Sequence, residues 1–391
     1  MEQNLKNFLD THSTPMYVFD SGILKRRVKY LKEMLPSNVS LCYAIKANNF
    51  IVKELDDVIE RFEVCSPGEL SVCRELGISG KKIIFSGVYK TPSVVEGLME
   101  EDYPMGIYSI ESMVQYKLLI EMANKYNRSI TVMPRLTSGN QFGMTKDEVK
   151  TVISEVKEMP NVSIEGIQFF SGTQKNSIKK LKRELTKLDE FIQVLKEELD
   201  YVPNELEFGP GFPVTYFKDE EFDEDEFLRG FSEIINEMNF KSKITLELGR
   251  SIAASCGTYY TRVVDMKSNK GQNYAIVDGG MNHLVYFGQS MAMKHPMCDV
   301  LPPRDGDGAI DWNICGSLCT ANDILVKQLP IKDLQLSDVI KFEKTGAYCM
   351  IEGISLFLSR DLPSVYIKNE DGTYKSVRDS VPTYPLNKPN Y

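Results

Sequence analysis

Residues 41–66 read LCYAIKANNFIVKELDDVIERFEVCS, two short β-rich runs at 41–46 and 62–66 with a stretch of mixed polarity between them. The alternation continues to about residue 250, with further β-rich runs at 83–87, 106–110, 130–136, 164–171, 205–209 and 244–249. The intervening segments carry helical periodicity. In 177–199, Ile178, Leu181, Leu185, Leu188, Ile192 and Leu195 recur at spacings of three and four, which puts them on one helix face. Strands that alternate with helices give a parallel sheet, and eight of them fit a closed (β/α)8 barrel of the TIM type better than an open doubly wound sheet. Beyond Arg250 the texture turns β-rich, at 257–266, 273–277, 338–342 and 364–377, the last with Asp371-Gly372 as a hairpin turn between Tyr366 and Tyr374. The expected architecture is an α/β barrel over residues 22–250 and a C-terminal all-β domain of 251–391, with 1–21 joined to it.

The 391 residues carry a net charge of −9 with a pI near 5.2, which argues against nucleic acid as a partner because phosphate binding needs concentrated Lys and Arg. Eight cysteines without C-x-x-C spacing read as reduced thiols, and with only His12, His283 and His295 available no metal site is expected. No apolar run approaches the roughly 18 residues of a membrane helix, and the polar start MEQNLKNFLDTHSTP lacks a signal-peptide layout, so a cytoplasmic protein is expected.

In a β/α barrel the chemistry sits where strands end and the following loops begin. The first run ends in Lys46, on the face of Ala44 and Cys42; small neighbours leave room above the barrel mouth. The fifth ends near Arg135. The seventh runs into Phe208-Gly209-Pro210-Gly211-Phe212, whose backbone N–H groups can approach a phosphate. The eighth ends in Glu247-Leu248-Gly249-Arg250, a carboxylate followed by a guanidinium suited to an anion. In the β-rich half, Cys315-Gly316-Ser317-Leu318-Cys319-Thr320-Ala321-Asn322-Asp323 sets a thiol four residues before a carboxylate, and Lys344-Thr345-Gly346-Ala347-Tyr348 closes a strand. Taken singly these are a snorkelling lysine, a turn, a surface ion pair and a packing thiol.

Taken in order, the motifs resemble the fold-type-III pyridoxal-phosphate decarboxylases, the family of the diaminopimelate, ornithine and arginine decarboxylases, over residues 15–357. Tyr43-Ala44-Ile45-Lys46-Ala47-Asn48 is similar to the family's Y-A-x-K-A-N, Ser66-Pro67-Gly68-Glu69 to S-x-G-E, and Phe85-Ser86-Gly87 to its third-strand end. Gly209-Pro210-Gly211-Phe212 resembles G-G-G-F, with Pro210 removing one donor. Glu247 to Arg250 resembles E-P-G-R, Cys319 to Asp323 C-x-x-x-D, and Gly346-Ala347-Tyr348 G-A-Y. The resemblance implies an alanine-racemase-like barrel plus β domain and a decarboxylase with pyridoxal 5′-phosphate bonded to Lys46. It also implies Glu247 at the pyridine nitrogen and Cys319 as proton donor, reaching across a homodimer with shared active sites. Cofactor contacts would come from Phe170, Thr173, Gly209, Gly211, Arg250 and Tyr348, and substrate contacts from Arg135, Thr320 and Asp323.

Two positions depart from the family. Its H-x-G-S becomes Phe170-Ser171-Gly172-Thr173, so Phe170 replaces the histidine that covers the ring and Thr173 stands for the serine. Thr320 replaces the acidic residue that follows the cysteine in enzymes acting on diamino acids, and it cannot neutralise a distal ammonium. The C-T-x-x-D pattern is similar to the specialised branch acting on carrier-protein-linked glutamate and on siderophore precursors. An acylated or carrier-linked amino acid is therefore the expected substrate, in secondary-metabolite or siderophore assembly. An ordinary diaminopimelate, lysine or ornithine decarboxylase is the alternative. A racemase is disfavoured by Glu247, and an inactive regulatory homologue by Lys46 together with Cys319.

Overall fold

The computed structural model describes residues 3–304 and 306–390. They form two compact units, one of 26–213 and 223–252 and one of 3–25, 214–222, 253–304 and 306–390. The segment 214–222 thus groups with the β-rich unit, a detour that the expected span of 22–250 does not contain.

The first unit is a closed ring of eight parallel strands: β1 (Val39–Ala44), β2 (Arg61–Val64), β3 (Ile83–Phe85), β4 (Ile107–Ile110), β5 (Ile130–Leu136), β6 (Gly166–Phe170), β7 (Glu205–Gly209) and β8 (Lys243–Leu248). Each pairs with the next, and β8 closes on β1 with Glu247 beside Cys42. The run expected at 164–171 is broken. Val162–Ile164 pairs with the first half of β5, Glu165 donates to the Val132 carbonyl, and β6 continues against Arg135 and Leu136. Helices lead from the strand ends back along the outside. Their starts are fixed by side chains that satisfy the open N–H groups of the first turn. Ser66 accepts from Glu69 N–H while the Glu69 carboxylate accepts from Cys65 N–H, so Ser66-Pro67-Gly68-Glu69 acts as a reciprocal helix cap. Ser112, Thr145, Ser177 and Asp223 cap the helices Met113–Lys125, Lys146–Val156, Ile178–Leu199 and Glu224–Glu237 in the same way.

The second unit is built around Met16–Asp20, which pairs antiparallel with Gly257–Asn269 and parallel with Ser364–Lys368. The hairpin at Asp371-Gly372 joins Ser364–Lys368 to Tyr374–Arg378. Strands Gln272–Val277, Cys298–Leu301, Ile310–Cys315, Ile324–Ile331 and Val339–Glu343 complete the sheet, and helix Gln3–Thr11 buries Phe8 and Leu9 against it. Of the described helices, none is long and apolar enough to cross a membrane.

Candidate active site

The inside of the barrel is polar at the ends of its strands. Lys46 lies just past β1, in a 3-10 turn of Ile45–Ala47, and so does not continue the face of Cys42 and Ala44 as a strand residue would. The turn brings its Nζ to 2.7 Å from Glu63 Oε2 and 3.3 Å from Glu247 Oε1. Both carboxyls are buried, and Lys46 is half-exposed. Burial opposes ionisation of both, yet they shift in opposite directions. For Glu63 the Lys46 ammonium and the hydrogen bond from Glu247 outweigh burial and hold it well below the usual carboxylate range. For Glu247 burial and the negative charge of Glu63 together push it up. Of the two, Glu247 is the one more readily protonated.

A polar ladder crosses the barrel beneath this pair. Ser109 donates to Gln168 Oε1 at 2.6 Å, and Gln168 Nε2 donates to Glu207 Oε1 at 2.8 Å. Glu207 is fully buried; burial and the neighbouring Glu247 and Glu63 raise its carboxyl well above its ordinary range, which favours the neutral acid. On the other side Arg135 pairs with Glu111 at 3.3 Å, and its guanidinium lies over the rings of Phe142 at 5.0 Å and Phe170 at 5.9 Å. Lys90, buried, donates to the carbonyls of Ser86 and Gly87, and burial pulls its ammonium down to about 8.

Two loops at the ends of β6 and β7 fit closely because glycine allows it. A Cβ on Gly209 would run into the Phe170 ring, and one on Gly211, at φ +62°, would run into the Gly172 carbonyl. Lys175 N–H donates to the Gly211 carbonyl at 2.9 Å, and Lys175 Nζ bridges Ser171 and Glu184. The barrel therefore brings together Lys46, Glu247, Arg135 and Phe170, with Thr173, Gly209 and Gly211 on the adjoining loops and Arg250 buried at the start of the helix after β8.

The remaining expected residues belong to the β-rich unit. Cys319 is exposed, while each of the other seven thiols is buried or partly so. Asp323 does not have the open carboxylate expected of a substrate contact. It is 3% exposed, and its oxygens accept from Met281 N–H and Leu318 N–H, both at 2.7 Å. Gly280 and Gly316 press against it so closely that a Cβ on either would strike the carboxylate. Asp323 is the anchor of the loop that presents Cys319 and Thr320. Tyr348 stands at φ +65°, a left-handed conformation uncommon for a bulky residue and a sign that its position is imposed by its surroundings.

Glu63, Glu207, Glu111 and Lys90 are absent from the residues singled out in the sequence. Glu63 and Glu207 carry a readable signal nonetheless: Phe62-Glu63-Val64 and Leu206-Glu207-Phe208 each place an acid between apolar residues of an inner strand, where it can only face the barrel interior.

The arrangement offers an amine beside two buried carboxyls whose proton affinities are shifted in opposite directions, an arginine, and a glycine-lined loop pair able to approach an anion. Residues 21–254 match the family described as pyridoxal-dependent decarboxylase, pyridoxal binding domain. The L-glutamyl-[BtrI acyl-carrier protein] decarboxylase of Niallia circulans is 28% identical over 396 residues, covering 93% of this chain and 91% of the relative. The 2-[(L-alanin-3-ylcarbamoyl)methyl]-2-hydroxybutanedioate decarboxylase of Staphylococcus aureus is 28% identical over 86% of this chain and 90% of the relative. Diaminopimelate decarboxylase of Helicobacter pylori, solved in complex with L-lysine, superposes with a TM-score of 0.85 at 23% identity over 98% of both chains, a likeness of fold. With the binding domain alone spanning more than half of its length, the chain belongs to the pyridoxal-dependent decarboxylases and is a carboxy-lyase that uses pyridoxal phosphate.

Proposed function

We propose that the enzyme decarboxylates an amino acid whose far end is acylated, carboxylated or tethered to a carrier protein, in a specialised-metabolite or siderophore pathway. The observation that carries the catalytic part is the Lys46–Glu63–Glu247 cluster. The barrel's donor set suits the cofactor: Lys46 for the aldehyde, Glu247 for the pyridine nitrogen, Phe170 for the ring, and Thr173, Gly209, Gly211 and Arg250 for the phosphate, to which the family resemblance adds Tyr348. When bound, pyridoxal phosphate supplies a conjugated cationic ring that takes up the electron pair left as carbon dioxide departs.

Each residue then has a definable task. Lys46 would hold the cofactor through its amine, which would leave that amine free to move a proton once the substrate is bound. Glu63 keeps its negative charge beside the Lys46 amine and orients it. Glu247, poised to exchange a proton, keeps one at the ring nitrogen; an arginine there would not, which is why a racemase reading is disfavoured. Arg135, held over Phe170, binds a substrate carboxylate. Cys319 delivers a proton to the substrate carbon, contributed by the second chain of a homodimer, with Thr320 beside it facing the substrate's far end.

The substrate class rests on Thr320 and on the two relatives named for a carrier-linked glutamate and an amide-linked citrate-type acid. A neutral Thr320 leaves a distal ammonium unpaired, which costs several kcal/mol when buried. Carbon dioxide release with chiral analysis of the product, across free, acylated and carrier-linked amino acids, tests the reading. Release of carbon dioxide from acylated or tethered substrates supports it; inversion without release would overturn it in favour of a racemase.

A further inference from the structure

The helix Ile178–Leu199 buries Leu181, Leu185, Leu188 and Ile192 and turns Lys179, Arg183 and Lys187 to the opposite side, with Lys180 alongside. All four cations are exposed. Their arrangement works against the helix that carries them. Lys179 and Lys180 sit in the first turn, at the positive end of the helix dipole, where a cation is unfavourable, and the turn contains no acid. Lys179–Arg183 and Arg183–Lys187 are like-charge neighbours four residues apart, which repel across one helix turn. Among the described residues no ion pair relieves any of the four, whereas Lys182, off the stripe, pairs with Glu237 at 2.8 Å. This is a local cationic surface on a chain of net charge −9.

The stripe begins at the mouth of the barrel. Glu184, in the second turn, binds Ser171 at 2.7 Å and Lys175 at 2.8 Å, which ties the helix start to the loop after β6. That loop packs on Gly211. A macromolecule seated on the stripe would lie next to the loop after β6 that carries Thr173.

We infer that Lys179, Lys180, Arg183 and Lys187 form the docking surface for an acidic carrier protein that delivers the amino acid on a flexible arm. The inference rests on the carrier-linked reading of the substrate. Opposite charge on the partner raises its local concentration at the mouth and steers its approach, while the chemistry at Lys46 is untouched. A small substrate gains nothing from the stripe.

The test uses holoenzyme and a triple reversal, Lys179→Glu, Arg183→Glu and Lys187→Glu, with the neutralising set Lys179→Gln, Arg183→Gln and Lys187→Gln as a second variant. The probes are glutamate loaded on an acyl-carrier protein of net negative charge and the same glutamyl group on a short pantetheine thioester. The expected result is a KM for the carrier-linked probe raised about tenfold or more by reversal, less by neutralisation, with kcat kept and the short thioester unaffected. For the unaltered enzyme, raising salt from about 50 mM to about 500 mM should weaken the carrier-linked reaction alone. Turnover of both probes with a carrier KM unmoved by reversal would overturn the docking surface and leave the substrate reading standing. Turnover of neither probe, with carbon dioxide released from a free amino acid, would overturn both.

Discussion

At the scale of single residues, the account rests on Lys46 between two carboxyls whose proton affinities are shifted in opposite directions. Borohydride reduction of the holoenzyme followed by peptide mapping should place the cofactor label on Lys46, and Lys46→Ala should abolish activity; a label on another lysine would refute the assignment. Glu247→Gln should lower kcat by about a hundredfold or more, because it cannot keep the ring nitrogen protonated through its own charge. The same substitution has a signature in the protein without cofactor. Glu247 is raised by burial and by Glu63, so the folded state keeps its proton at a pH where the unfolded chain has lost it, and its contribution to stability is present in acid and disappears as pH rises past the ordinary carboxylate range. Glu63, held low, acts in the opposite sense and only at pH below that range. The difference in melting temperature between the native chain and Glu247→Gln should therefore narrow or change sign as pH climbs from acid to neutral; a difference independent of pH would show that Glu247 is not protonated in the fold. Lys46, Glu247 and Arg250 were legible in the sequence because they fall in ordered motifs at strand ends. Glu111 and Lys90 were not, because nothing in their own neighbourhoods distinguishes a buried charge from a surface one until the strands of the barrel are closed around it.

At the scale of elements, loops held by glycine and by one aspartate set the geometry. Gly209→Val would drive a side chain into the Phe170 ring and should weaken cofactor binding sharply, with the barrel otherwise folded; spectroscopic titration with pyridoxal phosphate measures it. Asp323→Ala would leave two backbone N–H groups without their acceptor, at a cost of about 2–4 kcal/mol. Thermal unfolding should show the loss, and thiol labelling of Cys319 should change rate as its loop is released. An unchanged melting temperature would contradict the anchoring role. The sequence read Asp323 as a substrate contact because its spacing from Cys319 fits a motif; spacing cannot say that both oxygens are turned inward onto Met281 and Leu318. The barrel strands were readable from repeated β-rich runs between amphipathic helices. Met16–Asp20 was missed because it is short and almost wholly buried, so it shows no alternation, and the break at Glu165 is marked only by Glu165-Gly166 inside an otherwise strand-like run.

At the scale of the whole molecule, the proposed homodimer and the proposed substrate are linked. If Cys319 serves the site of the other chain, mixing Lys46→Ala with Cys319→Ala subunits should restore part of the activity, because some heterodimers hold one intact site; no recovery after verified subunit exchange would mean that each chain completes its own. The substrate follows from charge: Thr320 offers no anion to a distal ammonium, and the cationic helix at the mouth favours a partner that arrives on an acidic protein. The most direct measurement is kcat/KM for carbon dioxide release from free ornithine, lysine and meso-diaminopimelate set against acylated and carrier-linked amino acids, with the native chain and with Thr320→Asp. The account predicts that the free diamino acids are poorer by on the order of a thousandfold, the consequence of an unpaired buried ammonium, and that Thr320→Asp improves ornithine. Efficient turnover of any of the three free diamino acids, with no gain from acylation or tethering, would contradict it.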